Sequence, residues 1–249
     1  RQLWLQDNKF SVTNISNMLN NCHNIVNAPI IPTSVTDMSY TFFGCSNLVN
    51  APAIPASVTS MYGTFVFCNS LVNAPDMSKA VNVKEMGKTF DLCTNLVEAP
   101  AIPANVTNIS SAFCNCANLV KAPVIPANIT NMAYTFQNCY NLVNAPDMSN
   151  AVNVMNMGYT FHNCRNLIDA PEIPSNVTSM SSTFQNCHSL TNAPDMSNAT
   201  NVNYMGYAFY NCYSLINAPV IPANVTGMGY TFYNCRNLIN APVIPANVT

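Results

Sequence analysis

The chain has 249 residues and a mass of 27.1 kDa, enough to build a large core in one domain or two small domains. Only 7% of residues are charged, against a usual ~25%, and the net charge is −2; this excludes a basic nucleic-acid binder, a polybasic membrane binder and disorder driven by charge. Forty asparagines, with serine and threonine, do the solvating that charges usually do, and no apolar run reaches the ~18 residues of a membrane span.

Residues 1–11 stand outside any pattern and are read as an N-terminal flank or the end of a preceding coil. The chain opens on Arg1 with no signal peptide, so it is expected to be a piece of a longer protein. From residue 12 to residue 249 a repeat covers everything, expected to form one continuous solenoid domain. Ten cysteines mark its period: Cys22, Cys45, Cys68, Cys93, Cys116, Cys139, Cys164, Cys187, Cys212 and Cys235, always 23 or 25 residues apart. A valine or isoleucine series from Val12 to Val248 keeps the same time. The 25-residue units carry their two extra residues after Asp76, Asp147 and Asp195, one fixed phase, as loops on one face of a stack do.

Within a unit, positions are counted from its cysteine. Met or Ile109 stands at −7, Phe at −3 in nine repeats, Cys at 0 and Leu at +3. Met–Phe–Cys has the i, i+4, i+7 spacing of a helical stripe, so the spacing predicts a short helix or 3₁₀ turn of about two turns, too short to persist in water without neighbours. The L-V-N-A-P stretch that follows predicts a strand of three or four residues, because proline removes a ladder donor. No unit can bury its apolar side chains alone, so stacking must supply the core. The expected fold class is an α/β, leucine-rich-repeat-like right-handed solenoid of about ten coils, with short parallel strands on one face and short helices or 3₁₀ turns on the other. A β-helix without helices is the rival.

The run I-P-A-N-V-T-x-M-x-x-T-F-x-N-C-x-N-L resembles the BspA-like, treponemal-type leucine-rich repeat, and the long units, with S-N-A-V-N-V-M-N-M-G-Y-T-F, are similar to the related bacterial surface-protein repeat of about 26 residues. Ala-Pro stands where the family usually has an aliphatic strand residue, and the Met-to-Phe spacing is one shorter. The resemblance implies a surface protein made for binding and display, adhesin-like or host-binding, extracellular or on a cell surface, with a virion surface as the alternative.

Little in the chain reads as chemistry. The cysteines share one core phase, so buried free thiols are expected ahead of disulfides or metal. Cys114 breaks the ladder, is expected to point away from Cys116, and is the one thiol expected to react. Asp76, Asp147 and Asp195 are too far apart to act as a pair and read as turn acceptors. Recurrent asparagines at +2 and before the valine are expected to bond backbone or one another, and the sequons such as Asn105 and Asn128 are by-products of the repeat. No catalytic motif, cofactor or metal set is present, and an enzyme is not expected.

Tyrosine rises above that background. Positions −5, −2 and +1 face away from the core stripe, and nine of eleven tyrosines occupy them. Tyr134, Tyr140, Tyr159, Tyr207, Tyr210, Tyr213, Tyr230 and Tyr233, with His162, Arg165 and Arg236, form the candidate binding face; Tyr40 and His188 share these phases. Aromatics with arginine are what interface hot spots use, and tyrosine also stacks on sugars. The face is expected to bind a protein or glycan on another surface, or the chain itself by lateral association. The alternative function is a structural spacer, stalk or self-associating fibre.

Overall fold

The computed structural model describes residues 11–249; the flank expectation for residues 1–11 falls, but for its last residue, outside the described residues. Each repeat makes one coil, and each coil pairs with the next through parallel bridges in two columns. One column stands at −8 and runs unbroken from Asn14 through Asp37 and Ser60 to Gly227; the other stands at +5 and includes Asn27, Glu98, Lys121 and Asn240. The strand expectation thus reduces to single bridged residues, because Ala-Pro follows +5 at once and takes away the next donor.

The helix expectation is wrong. Among the described residues there is no α- or 3₁₀-helix; the segment from −7 to 0 is a ribbon of overlapping hydrogen-bonded turns. In one coil the amides of Thr41, Phe43 and Cys45 bond three residues back, to Met38, Tyr40 and Phe42, while the amides of Met38, Tyr40, Phe42 and Gly44 bond carbonyls of the next coil. The alternation is possible because two residues per coil, at −5 and −1, take left-handed dihedrals, as at Tyr134 (φ 61°) and Asn138 (φ 60°). A left-handed residue every fourth position breaks a helix, and it turns every second N–H outward along the stack.

The core follows the phases read from the sequence. Met38, Phe42, Cys45 and Leu48 and their counterparts in the interior coils are fully buried, in one cluster from Ile15 to Val225. The phenylalanines form a continuous stack with centroids 5.4–5.6 Å apart. In the long units Met77, Met148 and Met196 fill the slot that isoleucine fills elsewhere, with Ala80, Ala151 and Ala199 beside them, so the extra residues leave the core in register.

Polar groups inside this stack are satisfied rung to rung. Buried Thr135 donates its Oγ1 hydrogen to carbonyls of Met132 and Ile109, and the same pair recurs at Thr41, Thr64, Thr89, Thr160 and Thr231. All eleven cysteines are free thiols. Asparagine does more than the sequence suggests: at −1, Asn138, Asn163, Asn186, Asn211 and Asn234 each donate Nδ2 to the Oδ1 of the asparagine one coil earlier, at 2.7–2.9 Å. That ladder starts on the carboxylate of Asp91, which accepts from Asn115 at 3.0 Å and whose pKa burial raises. Asparagines before the valine, such as Asn128 and Asn153, donate to a carbonyl of the preceding coil.

Candidate functional site

The turn ribbon displays its −5, −2 and +1 side chains on one outer face, and the structure brings the sequence-selected residues together there in three parallel columns. At −5 the rings of Tyr134 and Tyr159 stack at 4.9 Å and those of Tyr207 and Tyr230 at 5.0 Å. At −2, Tyr210 and Tyr233 stack at 4.9 Å. Tyr207 lies 5.7 Å from Tyr210 and Tyr230 6.0 Å from Tyr233, which ties the two columns into one aromatic patch.

The +1 column interleaves rings with two arginines. The guanidinium of Arg165 sits 5.0 Å over the ring of Tyr140, His188 stacks on Tyr213 at 4.6 Å, and Arg236 covers the other side of Tyr213 at 4.8 Å. Such pairs are worth about 0.5–1 kcal/mol at exposed sites. Arg236 also donates Nε to Oδ1 of Asn234, fixing the guanidinium to the end of the amide ladder. His162 bonds Gln137 at 3.2 Å and meets Tyr159 edge-on. Desolvation lowers the pKa of His162, and desolvation with the charge of Arg165 lowers that of His188, so both imidazoles are neutral near neutral pH.

The stacking changes what the face can do. In each stacked pair the planes lie within 11–13° of parallel, so one face of each ring is covered by its partner.

A second aromatic group was not singled out by tyrosine counting: Tyr40, Tyr62, Phe43 and the exposed Phe67 meet at centroid distances of 5.4–6.0 Å in the coils of Cys45 and Cys68. Phe43, at the outward −2 phase, is the available signal; Phe67 stands at −1. Tyr204, at −8, lies flat over Gly206 and Gly227, where a Cβ would meet its ring.

Asp76, Asp147 and Asp195 each accept the N–H of the serine two residues on, at 2.8–2.9 Å, and these bonds lower their pKa. Cys114 is not the reactive exception: it is 7% exposed, packed by Gln137 and Asn115, and burial pushes its thiol up to about 12. The −2 side chain of that coil is covered by its larger neighbour Gln137. Among the described residues no three His, Cys, Asp or Glu side chains converge as a metal site would need, and no helix is long and apolar enough to cross a membrane.

The model of the BspA type leucine-rich repeat region matches this sequence in six copies, over residues 13–143 and 157–249. No curated protein matches significantly. Among solved structures, a leucine-rich repeat protein from Eubacterium ventriosum is similar at TM-score 0.50 and 16% identity, covering 95% of this chain and 77% of that one. The leucine-rich repeat protein of T. pallidum aligns at TM-score 0.49 and 25% identity, over 58% and 67%. A leucine-rich cell surface protein from Faecalibacterium prausnitzii aligns at 0.45 and 20%, over 91% and 82%.

Proposed function

Since the chain belongs to the BspA-type leucine-rich-repeat family, we propose that it is a non-catalytic repeat scaffold of a surface-exposed protein, and that it binds a protein partner through the aromatic face of its C-terminal coils. The observation that carries this reading is the packing of Tyr207, Tyr230, Tyr210, Tyr233, Tyr213 and Arg236 into one patch over two adjacent coils. Tyr230 and Tyr233 are 60% and 53% exposed. Neighbouring rings hold each other in place, so little side-chain entropy remains to be lost on binding. Aromatic side chains set beside an arginine are what protein hot spots use. The face also differs from coil to coil, with Ser182 and Gln185 where the next coil has Tyr207 and Tyr210, while the core phases hardly change; a spacer has no use for that difference.

The test is binding of the labelled chain to cell surfaces and to arrayed proteins and glycans. Tyr210→Ser with Tyr233→Ser should leave folding intact, since exposed substitutions cost within about ±0.5 kcal/mol, and should weaken binding to a protein at least tenfold. Undiminished binding by the double variant would put the spacer reading first. Loss of binding to a glycan alone would reverse the choice of partner.

A further inference from the structure

A different face of the solenoid carries an apolar ridge. At +4, one residue before the second bridge column, nine of the ten coils place Val or Ile, from Val26 to Ile239, and Thr191 is the exception. These side chains are not core: Val49, Val72, Val97, Val120 and Ile168 are each 42–49% exposed. They line up from coil to coil into an apolar ridge.

Backbone preference does not account for the choice. The −9 position holds the same place in the first bridge column, with the same hydrogen bonds: the amides of Thr36 and Asp37 both donate to the carbonyl of Thr13, as those of Val49 and Asn50 both donate to Val26. At −9 the chain uses Thr in seven described coils, such as Thr59, Thr107 and Thr130. Threonine is β-branched and equally at ease in extended backbone. The chain therefore has an internal control: one geometry, exposed twice per coil, made polar on one column and aliphatic on the other.

We propose that this ridge is an interface between two copies of the chain, packed ridge against ridge in antiparallel order. Three observations commit it to a second copy. The ridge repeats at the ~4.8 Å strand spacing, and an object of the same period stays in step with it at every coil. Its exposed area is on the order of 600 Å², at the upper limit of apolar patches on monomers, and with its polar margins approaches the ~800 Å² per partner of a standard interface. The margin is also self-complementary. Beside the ridge, the +5 column is asparagine in seven coils, and its charges are Glu98, Lys121 and Asp169. Glu98 and Lys121 stand in adjacent coils and pair within the chain. A twofold axis between those coils pairs the eight coils from Cys22 to Cys187 and leaves the last two free; it sets Glu98 of one copy against Lys121 of the other and brings Asp169 opposite Asn50, with no like charges facing in the +5 column. Such isologous pairing closes on itself as a dimer.

Sedimentation velocity over a hundredfold concentration range tests this. The unaltered chain should move from monomer to twice the monomer mass. Val72→Thr, Val97→Thr and Val120→Thr together should raise the dissociation constant at least tenfold with unchanged thermal unfolding, because Thr191 already occupies this column. Lys121→Glu alone should weaken the dimer, and adding Glu98→Lys should restore it. Tyr210→Ser with Tyr233→Ser should leave the mass unchanged, which separates this surface from the aromatic one. A chain that is monomeric throughout, or a dimer indifferent to both the threonine and the charge substitutions, overturns the proposal; a dimer lost only in the tyrosine variant assigns association to the aromatic face instead.

Discussion

The cysteine of each coil meets two demands at once. It is small enough to let the coils approach, and it donates its S–H to the carbonyl three residues before the cysteine of the preceding coil, as Cys68 to Phe42 and Cys139 to Phe113 at 3.2 Å. Burial raises the pKa of these thiols: Cys45 and Cys235 to about 11, and Cys93, Cys116 and Cys139 well above the ordinary value. In an unfolded chain the same thiols ionise near 8.5. An acid whose folded pKa is raised supports the fold fully below its unfolded pKa, and the support is lost as pH climbs toward the folded value. Stability from denaturant titration should therefore be level up to about pH 8.5 and fall steadily above it. A level profile to pH 10 would mean that the thiols ionise equally in both states. Maleimide at neutral pH should label the partly buried Cys22 and Cys235, in the two end coils, first and leave Cys114 untouched, with all eleven labelled after denaturation.

The turn ribbon explains what could and could not be read from the repeat. Burial at −7, −3, 0 and +3 was visible because apolar identity recurs at those phases, and the outward phases followed from it. The helix was misassigned because 4 + 3 spacing fits a turn ribbon as well as a helix; only the dihedrals at −5 and −1 separate them. Asn115, Asn138 and Asn163 at −1, with Gly44 and Gly63, were the signal for left-handed backbone; Tyr134 and Ser182 at −5 gave none, since their side chains have no such preference. The candidate face is legible in the tyrosines at the outward phases, but its pairwise stacking depends on the coil-to-coil register. Two substitutions test the ribbon. Ser182 sits at φ 53°, so Ser182→Gly should stabilise by about 0.5–1 kcal/mol, the left-handed penalty of about 1–2 kcal/mol less the entropy of the new glycine. Gly63 has φ 61° and its missing Cβ leaves room for the Tyr40 ring, so Gly63→Ala should cost about 1–3 kcal/mol. Opposite signs in thermal unfolding are expected; a destabilising Ser182→Gly would place that residue outside the left-handed region.

At the scale of the molecule, a chain with 7% charged residues stays ordered because its polar groups answer one another along the stack: amide to amide at −1, hydroxyl to carbonyl at −4, thiol to carbonyl at 0. Each of these groups bonds a neighbouring coil, the threonines bonding their own coil as well, and the phenylalanine stack also joins neighbours, so each coil knows only the coil before and the coil after. Stability in such an array is a sum of nearest-neighbour terms. Phe136 is fully buried between Phe113 and Phe161, 5.6 Å from each. Phe136→Ala should cost ~3–5 kcal/mol by emptying that slot. The loss should also be local: amide exchange should quicken between about Phe113 and Phe161 and stay slow around Phe42 and Phe209, because no contact carries the damage further. A cost below about 1 kcal/mol would mean the ring is not packed. Acceleration spread evenly along the chain would show the coils unfolding as one cooperative unit, with coupling carried along the unbroken phenylalanine stack from Phe42 to Phe232 and the amide ladder from Asn115 to Asn234.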